Sequence, residues 1–174
     1  MGRFKLITKA ISIGRVTEKY PFVPLEVPEG FRGKPVIDPE KCIGCTACSN
    51  ACPPQALQVY DDLESGVRVV HLFIGRCIFC ARCQDVCPTE AIKLTKEFEL
   101  ATLSDEDLHQ IVELQMVRCE ECGKPFDTFR HLLYTAKELQ PWEREMMFLC
   151  PECRAKKVSE KLIFGKGGKK EEKN

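Results

Sequence analysis

The chain has 174 residues, 12 of them cysteine, and its 26 basic groups cancel 26 acidic ones. One cysteine per about fifteen residues is far above ordinary usage, yet the chain is too long for a disulfide miniprotein. The zero net charge supplies no global basic field for nucleic acid, and setting the cysteines aside lowers the 44% hydrophobic fraction to about 37%, modest for a self-sufficient core.

The first fifteen residues, MGRFKLITKAISIGR, do not read as a signal peptide, because Lys9 breaks the apolar run and no small-residue cleavage site follows. Over residues 4–13, Phe4, Ile7 and Ile11 share one helical face, with Ala10 beside them. Arg3, Lys5 and Lys9 give that helix the character of an interfacial or partner-docking element; packing on its own domain is the competing reading. Residues 20–40 hold five prolines and are expected to run extended. No apolar stretch approaches a bilayer span, since the longest uncharged run, Cys42–Tyr60, contains four cysteines and two prolines. In a reducing cytoplasm the thiols stay reduced, so the cysteines read as metal ligands rather than disulfides.

Two cysteine runs follow, CIGCTACSNACP and CIFCARCQDVCP, related by an offset of 35 residues. Cys42, Cys45, Cys48, Cys52 and Pro53 map onto Cys77, Cys80, Cys83, Cys87 and Pro88, and Ala56 and Leu57 map onto Ala91 and Ile92. Two copies are too few for a solenoid, so the repeat predicts a pseudo-twofold compact domain. Each run has the bacterial ferredoxin spacing of cysteines followed by proline. Three close cysteines wrap one cubane, while the fourth leaves in another direction and ligates the other cluster. That assigns Cys42, Cys45, Cys48 and Cys87 to one 4Fe-4S cluster and Cys77, Cys80, Cys83 and Cys52 to a second. Small Gly44, Ala47 and Ala81 suit so tight a wrap. Crossed ligation places two redox centres close together, which points to electron transfer beyond structural support. No nucleophile–base set stands out, so the chain is read as non-catalytic.

Gln58–Phe73 alternates loosely around Glu64-Ser65-Gly66 and predicts a hairpin. Ser104 with Asp107 reads as a capping box for a helix bearing Leu108, Ile111 and Val112. A further helix is expected over residues 128–140, with Phe129, Leu132, Leu133 and Ala136 together. His71, His109 and His131 lack ligand spacing and read as surface or packed residues. Phe73 and Phe79 read as shields for the clusters, and Trp142 with Phe148 as the cap of a small core.

CEEC at Cys119–Cys122 and CPEC at Cys150–Cys153 offer four thiolates in two turns, the donor set of a closed structural zinc site. Rubredoxin-like iron is the alternative at Cys119, Cys122, Cys150 and Cys153. A zinc ribbon also suits nucleic acid, but residues 97–122 hold eight acidic groups against Arg118 alone, which opposes it. The final GKGGKKEEKN has the composition of a disordered tail.

With these residues in hand, residues 1–100 resemble the two-cluster ferredoxin-like subunit shared by respiratory complex I and energy-converting NiFe hydrogenases. The matching parts are the N-terminal helix, the proline-rich segment ending in FRGKP, and the two cysteine runs with GRCIFCARCQDVCPTEAIKL. RCIFC at Arg76–Cys80 is more specific than the cysteine spacing alone. The added CxxC pair is similar to the iron–sulfur subunit of formate hydrogenlyase complexes. The resemblance implies a subunit on the cytoplasmic side, peripheral to the membrane through its partners, that wires electrons between other redox subunits. It also implies that the N-terminal helix lies near membrane subunits.

The resulting expectation is an α+β protein in four parts. Residues 1–35 form a helix and extended docking segment, 36–100 a two-cluster bacterial ferredoxin-like domain, 101–158 a helix-containing zinc-ribbon-like module, and 159–174 a basic tail. Its cofactors are two 4Fe-4S clusters and one zinc ion. Its partners are other redox subunits of a hydrogenase-type complex, with no nucleic acid and no transmembrane span. A freestanding ferredoxin carrier with a structural zinc site, and a zinc-ribbon adaptor with structural clusters, remain as alternatives.

Overall fold

Amphipathic spacing near the N-terminus gives helix α1 (Lys5–Ile13), ended by Gly14 at φ 69°, whose N–H reaches Ala10 O. None of its residues is buried. Residues up to Phe31 and those from Arg32 onward form two separate compact units. The computed structural model describes residues 4–17 and 19–164. The Trp142 side chain, and with it the expected Trp142–Phe148 cap, lies outside those residues, as does the tail beyond 164.

In the second unit the sequence repeat is also a repeat of backbone. Strand β1 (Pro35–Ile37) precedes the first cysteine run, and helix α2 (Ala47–Asn50) lies inside it. Strands β2 (Leu57–Asp62) and β3 (Val67–Phe73) form the expected hairpin. Helix α3 (Arg82–Asp85) lies in the second run and strand β4 (Ile92–Leu94) follows it. Positive φ occurs in pairs 35 residues apart: Gly44 and Phe79, Thr46 and Ala81, Gln55 and Glu90. Ile37 pairs with Ile92 in the β1–β4 ladder, and Leu72 with Leu57 in the β3–β2 ladder. These are one pairing seen from the two halves. Ile37, Ala56, Leu57, Leu72, Ala91 and Ile92 are all buried between them. The small β1–β4 sheet is finished by glutamine amides. Gln110 Oε1 accepts from Ile37 N at 2.9 Å while its Nε2 donates to Ile37 O, and Gln84 Oε1 accepts from Leu94 N at 2.8 Å.

The expectation of a helix after Ser104 is wrong. Residues Asp105–Leu108 make one 3-10 turn, Ser104 gives no side-chain cap, and His109–Arg118 is a ten-residue strand, β5. It pairs antiparallel with β3 along its length, from Phe73 opposite His109 to Val67 opposite Gln115. Val112, Leu114 and Met116 alternate inward and are buried, while Ile111 points outward at 57% exposure. Period two therefore wins over the 3–4 spacing of Leu108, Ile111 and Val112, because the open edge of β3 needs a ladder partner.

Strand β6 (Pro125–Thr128) extends the sheet to the order β2-β3-β5-β6, with a register shift between Val117 and Arg118. Thr128 caps helix α4 (Phe129–Ala136) by accepting from His131 N. This helix falls within the expected 128–140 segment and is shorter; only Leu132 is buried. Helices α5 (Pro141–Arg144) and α6 (Pro151–Phe164) complete the described chain. Helix α6 carries regular structure past position 159, where the tail was expected to begin.

Candidate metal centres

Two cavities open on the repeat. Cys42, Cys45, Cys48 and Cys87 line the first, with Ile37, Ile43, Val59, Val70 and Ile92 as its apolar wall. Cys52, Cys77, Cys80 and Cys83 line the second, against Leu57, Leu72, Ile78 and Phe79. Each cavity thus takes three cysteines from one run and the last cysteine of the other. The left-handed residues make this possible: Gly44 and Thr46, like Phe79 and Ala81, turn the chain back between successive cysteines. Gly44 is also required sterically, since a Cβ there would stand 2.9 Å from Leu114 Cδ1 and 3.0 Å from Thr128 Cγ2.

The walls oppose bare thiolates. Burial pushes the Cys48 thiol up to about 12 and the Cys83 thiol up to about 11, and it raises Cys42 and Cys77 in the same way. Anions held there need positive charge beside them, which iron supplies. Cys87 differs: burial opposes its ionisation, but hydrogen bonds from the Ile92, Thr89 and Ala91 backbone outweigh burial and lower its pKa. Ala91 N lies 3.2 Å from Cys87 Sγ, and Phe79 N lies 3.4 Å from Cys77 Sγ. Donors of this kind stabilise thiolates bound to iron. The donor sets, their shape and their apolar surroundings therefore fit two four-cysteine clusters. All twelve cysteines are free.

The third set is the turn of the β5–β6 hairpin meeting the start of α6. Cys119, Cys122, Cys150 and Cys153 bring their sulfurs within 4.8 Å of one another. Cys122 and Cys150 Sγ are 3.7 Å apart, against about 3.8 Å across a tetrahedral zinc–thiolate site. Cys119 and Cys150 are buried with Leu149. Hydrogen bonds from Cys150 and Cys122 N lower the Cys119 thiol to about 6. Its sulfur accepts from Cys150 N at 3.3 Å. Lys157 on α6 ties to Glu121 at 2.7 Å and draws the two turns together. A set of four thiols suits a closed tetrahedral metal.

The expected bystanders divide. His71 Nε2 and His109 Nδ1 lie 2.7 Å apart with stacked rings, and Phe73 stacks on His109 at 4.6 Å. Phe73 therefore serves that stack, whereas Phe79 does line the second cavity. His131 Nδ1 meets Asp127 Oδ2 at 2.8 Å.

Several residues of consequence escaped the sequence reading. Arg68, 9% exposed, forks onto Asp61 at 2.6 and 3.0 Å and donates to Asp127 Oδ1 at 2.8 Å and Gly44 O at 3.0 Å. Thr128 Oγ1 donates to Ile43 O, and Arg130 Nη1 donates to the carbonyls of Pro39, Glu40 and Cys42. The available signal was parity: Arg68 shares the inward face of β3 with Val70 and Leu72. Among the described residues no buried side-chain nitrogen or oxygen lacks a hydrogen-bond partner.

Known proteins share much of this sequence. The 4Fe-4S dicluster domain family matches residues 41–91, which hold all eight cysteines of the two cavities. Formate hydrogenlyase subunit 6 of Escherichia coli (strain K12) is 43% identical over 161 residues, 88% of this chain and 89% of that one. The chloroplastic NAD(P)H-quinone oxidoreductase subunit I of Spinacia oleracea is 41% identical over 99 residues, 54% of this chain and 58% of its own. A chain of the membrane-bound sulfane sulfur reductase, an archaeal respiratory membrane complex, aligns at a TM-score of 0.45 and 30% identity, covering 62% of this chain and 59% of that one. Likeness along nearly the whole length, with a 4Fe-4S dicluster domain at its centre, establishes that this chain belongs to the family of formate hydrogenlyase subunit 6.

Proposed function

We propose that the chain is the non-catalytic electron-transfer subunit of a membrane-associated NiFe-hydrogenase or formate-hydrogenlyase-like complex, relaying electrons between a donor subunit and the hydrogenase module. The observation that carries this reading is the pair of adjoining cavities, each lined by four cysteines drawn three-to-one from the two runs. Cys42, Cys45, Cys48 and Cys87 hold one 4Fe-4S cluster, and Cys77, Cys80, Cys83 and Cys52 the other. Each cluster, once bound, supplies reversible one-electron exchange. The chain's own contribution is to exclude water with the Ile43, Val70, Leu72 and Phe79 walls and to direct backbone N–H groups at ligand sulfurs.

Cys119, Cys122, Cys150 and Cys153 hold a structural zinc ion in a helix-containing ribbon-like module; rubredoxin-like iron is the other metal this donor set accepts. Helix α1 docks on partner subunits near the membrane. Its Phe4, Ile7 and Ile11 are 72%, 54% and 77% exposed, a row that a freestanding carrier would leave in water. Among the described residues no helix is long and apolar enough to cross a membrane. The chain sits on the cytoplasmic face, attached through its partners.

Metal analysis of the full chain tests the centres: about eight iron and one zinc are expected, and about nine iron without zinc would convert the third site to iron. An Ile7→Glu, Ile11→Glu variant should keep both cluster signals and lose recovery with the membrane-bound complex. Unchanged recovery would end the docking role of α1.

A further inference from the structure

The two cysteine loops are copies of one another, but their backbones are held differently. Among the described residues, the loop from Pro39 to Gly44 gives five carbonyls to three side chains from later elements. Arg130 Nη1 reaches Pro39 O, Glu40 O at 3.0 Å and Cys42 O at 3.3 Å; Thr128 Oγ1 reaches Ile43 O; Arg68 Nη1 reaches Gly44 O. Among the described residues, the segment 74–80, equivalent to 39–45, receives one such bond, from Arg32 Nη1 to Cys80 O at 3.5 Å.

Thr128 ends β6 and Arg130 opens α4, so the hold on the first loop depends on where β6 lies. Strand β6 has four residues and a ladder to β5 that shifts register. It is held further by Arg68, which donates to Asp127 Oδ1 at 2.8 Å, and by the hairpin turn, where Gly123 N donates to Cys119 O and Cys119 N to Lys124 O, both at 2.9 Å. That turn carries half of the four-cysteine site. A short strand therefore stands between the third metal centre and the first cysteine loop, with nothing equivalent beside the second among the described residues.

We propose that Thr128 and Arg130 are positioning residues that clamp the first cysteine loop, and that the four-cysteine site, by fixing β6, governs how firmly the cluster of Cys42, Cys45, Cys48 and Cys87 is retained. The cluster of Cys77, Cys80, Cys83 and Cys52 is outside its control. This inference rests on the ligand assignment proposed above. Cluster loss requires the loop to open locally, and each carbonyl held by a side chain makes that opening rarer. Arg130 adds a charge effect, because a cation beside the loop favours the reduced, more negative cluster.

The test uses the full-length, metal-loaded chain, with the hyperfine-shifted cysteine signals of each cluster assigned by Cys48→Ser and Cys83→Ser. Thr128→Val should release the first cluster to an iron chelator about fivefold faster, and Thr128→Ser should restore the wild-type rate. Arg130→Gln should also lower the reduced fraction of the first cluster about threefold at a fixed ambient potential, with Arg130→Lys restoring it. Cys150→Ser should reproduce the selective loss; should it not fold, the Thr128 and Arg130 variants decide alone. Equal acceleration of both clusters, or wild-type release of the first in Thr128→Val and Arg130→Gln, overturns the clamp. If Cys48→Ser and Cys52→Ser delete the same cluster, the ligand assignment falls instead, and the clamp is judged on whichever cluster Cys48 holds.

Discussion

The two halves of the ferredoxin repeat share spacing, left-handed residues and strand pairing, yet they live in different surroundings. The first half is overlaid by the sheet extension β5–β6 and by α4, so that Leu114 and Thr128 of the extension, with Arg68 of β3, press against Gly44. The second keeps an exposed Ile78 at 60% and, among the described residues, a single arginine contact at Cys80. Duplication thus copied the ligands, while the appended segment made the copies unequal. Chemistry set by cysteine spacing should be symmetric between the halves; anything set by packing should not.

The largest expected effect concerns the symmetric part. Cys87→Ser should empty the first cavity of its cluster and Cys52→Ser the second, each lowering iron from about eight to about four per chain. Iron loss paired with the variant's own run, rather than the opposite one, would break the crossed reading. Next is Arg68→Met, which takes the cation from solvent-accessible Asp61 and half-buried Asp127 and the donor from Gly44 O, and should destabilise the chain by about 2–3 kcal/mol in urea unfolding. Exposed Arg82→Met in the second half should stay within about 0.5 kcal/mol. Comparable losses from both would erase the asymmetry.

Gly44→Ala adds a Cβ at φ +73° against Leu114 and Thr128 and should cost about 1–2 kcal/mol. Ala81→Gly, at φ 67° in the other half, should stabilise by about 0.5 kcal/mol. The smallest effect lies at the hairpin tip. Hydrogen bonds from the Ser65 side chain, and from the Ser65 and Glu64 backbone, hold the Asp62 carboxyl below its ordinary range. A lowered folded pKa gives stability that is present at neutral pH and lost as pH falls through it. Asp62→Ala should therefore melt slightly lower than wild type at pH 7, and the gap should close in acid; a gap independent of pH would assign the effect to packing.

What the sequence made legible was whatever depends on local spacing. The cysteine runs, the 58–73 hairpin, α1 and the helix after Thr128 all carry their own periodicity or turn chemistry. Strand β5 does not: its Leu108, Ile111 and Val112 fit a helix locally, and only the waiting edge of β3 decides against it. The hold on the first loop was equally invisible, because Arg68, Thr128 and Arg130 meet carbonyls 24 to 91 residues away in the chain. Parity along β3 and along residues 112–116 was the one trace of both features in the primary structure.

The two glutamine amides on the β1–β4 sheet bear on how such a subunit joins others. A bare strand edge invites another backbone to add itself, with little regard for sequence. Here Gln110 occupies both polar groups of Ile37, and Gln84 takes the N–H of Leu94. The sheet beside the clusters is thereby closed to strand addition at these positions. A neighbour that reaches these positions meets glutamine side chains rather than a free backbone ladder, so contact there is read by side-chain chemistry.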